Sequence, residues 1–138
     1  MSYNLLRDTE DLTKNSWELK DCYIEEGIIK SSSKYFSISQ ELILPDPTKV
    51  YFRINYFIQS DNIKKIIVGI LVDGVLHSSV KEIKKNKDNV EQLSVVVKSP
   101  LEKIKVYILF ESEDDNTLKE VQIFNPLLCD LKAIKKTT

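Results

Sequence analysis

The sequence predicts an all-β fold, an antiparallel sandwich of about eight or nine strands, and three observations predict it. Apolar and polar residues alternate with a period of two on both sides of Pro45-Asp46-Pro47. Turn signals recur at short intervals, the strongest being Asp73-Gly74 between two apolar runs. No segment carries the apolar stripe of a core-facing helix. In the first alternating run Phe36, Ile38, Gln40 and Leu42 share one face, and Tyr35, Ser37, Ser39 and Glu41 the other. In the second, Tyr51, Arg53, Asn55 and Phe57 alternate with Phe52, Ile54, Tyr56 and Ile58. Successive strand side chains point to opposite sheet faces, so both runs read as half-buried strands.

Each element follows from the same rules. A polar opening leads into a strand over Trp17–Ile24, and a short second one spans Gly27–Lys30. Three serines and a lysine precede Tyr35–Leu44, and the Pro-Asp-Pro turn separates it from Val50–Gln59. Ser60-Asp61-Asn62 precedes Lys65–Val72, and Asp73-Gly74 suits a two-residue hairpin turn with positive φ at both positions. The return strand is Val75–Ile83, and a charged loop, residues 84–89, separates it from Glu91–Lys98. A helix over Val80–Leu93 is the competing reading, but Ile83, Val90 and Leu93 are too sparse for a stripe. Ser99-Pro100 opens a connection to Lys103–Glu111, and the acidic loop over 112–117 leads to Lys119–Phe124, continuing after Asn125-Pro126 to about Ala133.

Composition bounds the function. A chain of 138 residues suits one domain, taken as residues 1–138 with a polar tail over 134–138. Twenty basic and twenty-one acidic residues leave a net charge of −1, so no long-range field for nucleic acid or an anionic membrane is expected. Lys84, Lys85 and Lys87 form a short basic loop balanced by Glu82, Asp88 and Glu91, and Lys135-Lys136 sit in the tail. The start, Met1 to Leu12, lacks a charged segment followed by about seven apolar residues, so no signal peptide is expected. No apolar run approaches the roughly 18 residues of a membrane span. Cys22 and Cys129 are too far apart in sequence for a redox or zinc pair; a disulfide would need first and last strands to be neighbours, and buried thiols are the expectation.

Catalytic signals are weak. His77 is the only histidine, two residues past the Asp-Gly turn, and no nucleophile elbow, HExxH or phosphate loop accompanies it. Cys22 or Cys129 could serve as a nucleophile only if folding set one beside His77. Glu25-Glu26 and Glu113-Asp114-Asp115 read as solvated charge runs, because neighbours along a strand face opposite ways. The chain is not expected to be an enzyme.

Asn4-Leu5-Leu6, Trp17, the strand from Phe36 ending in Ser39-Gln40, and an aromatic at Tyr51 after a short turn together resemble the galactose-binding-like jelly rolls, which include carbohydrate-binding modules. The resemblance covers nearly the whole chain, with Val121–Leu131 as the closing strand. It implies a sandwich of jelly-roll type. It also implies a structural calcium held by an acidic residue after the opening segment, where Asp8, Glu10 and Asp11 stand, and by a closing-strand aspartate. Asn125 occupies that last position, and calcium favours carboxylate oxygens, so the metal is not expected and no other cofactor is implied.

Sugar sites stack a ring on an aromatic face and flank it with hydrogen-bonding groups. Tyr51, Arg53, Asn55 and Phe57 offer that set along one strand face; the alternative is an ordinary solvent face or an oligomer contact. Trp17 reads as core. Fold analogy and chain organisation suggest a non-catalytic accessory protein of a phage or phage-tail-like particle, made in the cytoplasm, with assembly partners or a cell-surface glycan as ligand and with homo-oligomers as one outcome. A carbohydrate-binding module of a larger secreted glycoside hydrolase is the alternative.

Overall fold

The computed structural model describes residues 4–83 and 89–136. The strands are β1 (Glu18–Lys20), β2 (Tyr23–Glu25), β3 (Ile28–Ser31), β4 (Tyr35–Ile58), β5 (Ile63–Val72), β6 (Val75–Glu82), β7 (Glu91–Ser112) and β8 (Lys119–Asp130), followed by helix α1 (Leu131–Lys136). All pairings are antiparallel, in the order β2-β3-β8-β4-β7-β5-β6 with β1 on β4.

Two long strands organise this order. β4 and β7 pair along nearly their whole lengths. Beside the first half of β4 lies β1, and beside the facing half of β7 lies β5, which carries β6. Beside the second half of β4 lies β8, which carries β3 and β2. The result is two five-stranded layers, β1-β4-β7-β5-β6 and β2-β3-β8-β4-β7, sharing β4 and β7. Phe36, Ile38, Gln40 and Leu44 of the first layer and Val50, Phe52, Ile54 and Tyr56 of the second are buried on the same side of β4. With one six-residue helix among the described residues, the apolar face of each layer is covered by the other, which makes the jelly-roll sandwich. Full burial of a side chain such as Phe52 or Ile54 contributes roughly 1.5–3 kcal/mol.

The Pro45-Asp46-Pro47 turn expected from the sequence is not a reversal. β4 runs straight through it, and its pairing with β7 skips from Ile43↔Lys103 to Thr48↔Leu101 and then Val50↔Val97. Proline has no N–H for a ladder, so two prolines suit the stretch where β4 passes from one layer to the other. The separate strands expected at Glu91–Lys98 and Lys103–Glu111 are likewise one strand, β7, with Ser99-Pro100 at the same crossing. The expected Trp17–Ile24 strand is divided at Asp21, whose φ of 59° breaks the extended run. Beyond Asp130 the chain is helical rather than extended, and Asp130 Oδ1 accepts the Lys132 N–H at 2.9 Å to cap it. Asp73-Gly74 is the anticipated hairpin, with φ of 50° and 80°. Strands flank the charged loop on both sides, and Lys84, Lys85 and Lys87 lie outside the described residues.

The opening segment stitches the layers. Leu5 N–H donates to Leu128 O (2.7 Å) in β8, while Arg7 N–H donates to Gln40 Oε1 (2.9 Å) and Gln40 Nε2 to Arg7 O (3.0 Å) in β4. Asn4 Nδ2 donates to Pro126 O (2.8 Å), and Asn4 Oδ1 accepts from Leu128 N–H (3.1 Å). That side chain fills in for the ladder where β8 bulges: the register on β4 skips between Arg53 and Asn55, and Asn125 adopts φ 47°. Trp17 is core, its Nε1 donating to Asp8 O at 3.0 Å.

Candidate functional site

The alternation that buries Phe52, Ile54 and Tyr56 turns Tyr51, Arg53, Asn55 and Phe57 outward on the second layer, each half-buried between flanking strands. Register then supplies neighbours that the sequence alone did not identify. Across β7, β4 and β8 it aligns Val96, Tyr51 and Cys129, then Ser94, Arg53 and Leu127, then Gln92, Asn55 and Phe124. Phe57 stands beside Gln122. The face thus combines three rings (Tyr51, Phe57, Phe124), three amides (Asn55, Gln92, Gln122) and one guanidinium. Gln92 Nε2 donates to Asn55 Oδ1 at 3.4 Å, a long bond that leaves both amides able to turn to a ligand. α1 lies against β4 and β8 at the Tyr51 end.

Among the described residues three buried side-chain polar atoms have no hydrogen-bond partner, on Arg53, Tyr56 and Asn62, and only the first belongs to the outward row. That atom is the Arg53 Nε, and the Arg53 side chain makes no ion pair among the described residues. Burying a donor without an acceptor is unfavourable, and a guanidinium presents five donors in one plane. On the same outer face Lys30 is engaged by Glu25 (2.8 Å) and Glu120 (3.8 Å).

The outer face of the first layer carries a depression. A hollow of about 720 Å³ lies between Arg7, Glu41, Pro45 and Lys103, and two more, of about 330 and 310 Å³, continue it along β1 and β4. The last two are parted by an ion pair, Lys105 Nζ to Glu18 Oε1 at 3.0 Å, which bridges β1 and β7 above buried Ser39. Lys105 also lies over the Tyr107 ring, 5.1 Å from its centroid. A half-exposed ion pair of this kind costs little to displace.

The other sequence candidates are dispersed. Asp8 Oδ2 accepts from Ser16 Oγ (2.6 Å) and Asp11 Oδ1 from Thr13 Oγ1 (2.5 Å), Glu10 is exposed, and Asn125 stands at the β8 bulge. Among the described residues no three His, Cys, Asp or Glu side chains are gathered as a metal site needs. Cys22 and Cys129 are free thiols on different layers, so no disulfide joins them. Cys22 Sγ donates to Ser37 O (3.4 Å), and burial pushes its thiol up to about 11. His77 is exposed on edge strand β6, opposite Ile70 of β5 and remote in strand order from both cysteines. Glu25 pairs with Lys30, Asp115 Oδ1 accepts the Lys34 N–H (2.8 Å), and Asp114 Oδ1 meets Lys119 Nζ at 3.1 Å.

No protein-family model and no curated relative matches the sequence. Solved structures do match its fold. The carbohydrate-binding module TmCBM61 in complex with beta-1,4-galactotriose superposes with a TM-score of 0.70 at 14% identity, covering 94% of this chain and 99% of that one. A CBM4 module gives 0.61 at 6% identity over 88% and 97% of the two chains. The enzymatically active domain of bacteriophage CBA120 tailspike protein 4 gives 0.60 at 11% identity, over 94% of this chain and 22% of that one. At these identities the similarity is one of fold, the jelly-roll sandwich.

Proposed function

We propose that this chain is a non-catalytic glycan-binding module, and that Tyr51, Arg53, Asn55 and Phe57, with Gln92, Gln122 and Phe124, form its contact face. The observation that carries the reading is the unpartnered Arg53 flanked by rings and amides on the outer face of a carbohydrate-binding-module fold. A pyranose has apolar C–H faces and a rim of hydroxyls. Tyr51 and Phe57 supply apolar surface for the first, while Arg53, Asn55 and Gln92 supply donors and acceptors for the second. A rigid sheet holds these groups in place, so little ordering cost falls on binding.

A glycan array followed by titration calorimetry tests the reading. Tyr51→Ala and Arg53→Ala should each weaken binding by about tenfold or more, an effect of 1.4 kcal/mol or above, with the melting temperature nearly unchanged. Strong destabilisation by either would mean that the row is structural.

The setting proposed for the module is a phage or phage-tail-like particle, as a decoration, baseplate or receptor-binding protein made in the cytoplasm. The similarity to the phage tailspike domain supports it. The same face would serve a module within a larger secreted glycoside hydrolase, and a map of neighbouring genes separates the two. Assembly partners and self-association are checked by sedimentation: a monomer with sugar affinity removes the pure assembly role.

A further inference from the structure

We propose that the preferred ligand is an acidic glycan, a saccharide whose carboxylate pairs with Arg53; this rests on the glycan-binding reading above. Neutral hydroxyls could accept hydrogen bonds from this guanidinium, but they would leave its charge uncompensated in a half-buried site. Among the described residues no carboxylate pairs with it. Glu25 and Glu120 on the same outer face are already engaged by Lys30. Asp130, past the Tyr51 end, caps α1. Lys98, on the outward row of β7 beyond Val96, is exposed and adds positive charge on the same side. The buried Arg53 Nε is therefore a donor that an anionic group would satisfy.

Geometry narrows the anion to a carboxylate. A guanidinium presents parallel N–H bonds that match the two oxygens of a planar carboxylate. Arg53 sits between Tyr51 and Asn55 on one strand and next to Ser94 on β7. A uronic acid with its ring on Tyr51 or Phe57 could thus turn its carboxylate to Arg53 and its hydroxyls to Ser94, Asn55 and Gln92. A sulfate ester carries the same charge without the planar match.

The test uses the full chain and three probes: an oligogalacturonate, its methyl ester, and a sulfated galactan oligosaccharide. Wild type should bind the oligogalacturonate about tenfold tighter than the ester at low salt, with the preference shrinking as salt rises. Arg53→Gln should abolish that preference, bringing its affinities for acid and ester together, and Arg53→Lys should retain part of it. Matching melting curves show that both variants fold. Equal affinity for acid and ester, with Tyr51→Ala still impairing both, overturns the acidic preference and leaves the glycan-binding reading intact. Tightest binding of the sulfated probe overturns the carboxylate assignment. Failure of all three probes, and of neutral beta-1,4-galactotriose with them, overturns both.

Discussion

Replacing Lys119 by methionine should destabilise this protein more than most surface-to-apolar exchanges. Lys119 is fully buried, yet it is charged. Its ammonium donates to Ser32 O (3.1 Å) and Ser33 O (3.3 Å) in the β3–β4 connection and to Asp114 O in the β7–β8 loop. It also pairs with the Asp114 carboxylate at 3.1 Å. Nearby, the Ser112 hydroxyl lies 3.0–3.2 Å from Lys34 O, Ser33 O and Asp114 O and donates to one of them at a time. Methionine keeps the stem volume, so little cavity term arises and the loss is electrostatic. Breaking a buried ionic cluster by removing one partner costs about 3–5 kcal/mol. The Asp114 side chain is about a third exposed, so water recovers part of that, and the lower end, about 3 kcal/mol, is expected for Lys119→Met. For a chain of this length that lowers Tm by about 10 °C.

Urea titration and calorimetry at pH 7 measure the effect. A loss below about 1 kcal/mol would refute the view that the ammonium holds the two loops together. The acid range gives a second readout. Hydrogen bonds from the Thr117 hydroxyl and N–H, then from Lys119, hold the Asp114 carboxyl well below the usual range. Its folded pKa therefore lies below its unfolded value of about 3.9, so its contribution is present above that pH and fades as pH falls further. Lys119→Met should flatten this acid-side loss.

Other outcomes follow from single contacts. Asn4→Ala removes the partner of Pro126 O and leaves the Leu128 N–H at the β8 bulge without an acceptor, which should cost about 2 kcal/mol in urea unfolding. Gly69→Ala puts a Cβ 2.7 Å from Leu76 Cδ1 and 3.3 Å from His77 O; Leu76 can swing away but the backbone cannot, so about 1 kcal/mol is expected, with faster amide exchange confined to the β5–β6 hairpin. With its thiol pushed up to about 11 by burial, Cys22 should react with an aromatic disulfide reagent far more slowly at pH 8 than after denaturation, and fully buried Cys129 likewise. Fast native-state labelling of either would contradict the packing described.

The strands were legible because each has its own period-two pattern, and Asp73-Gly74 because its backbone demand is local. The passage of β4 through Pro45–Pro47 was not legible. Two prolines look the same at a reversal and at a layer crossing, and only the distant partner β7 distinguishes them. For the same reason β4 displayed half of a face. Tyr51, Arg53, Asn55 and Phe57 show their shared side in the sequence, but Gln92, Gln122 and Phe124 join them through a register fixed by topology. Lys119 was read simply as the first residue of the last strand. Its inward phase with Val121 and Ile123 was the available signal, overridden by the rule that lysines face water.

The sharing of β4 and β7 between both layers has a mechanical consequence. In a sandwich of independent sheets, one leaf can loosen while the other persists. Here neither layer can detach without drawing out a strand that runs through the middle of the other. Force on the Tyr51 face, such as a tethered polymer would exert, passes along β4 directly into the opposite layer. The domain should therefore resist or yield as one unit.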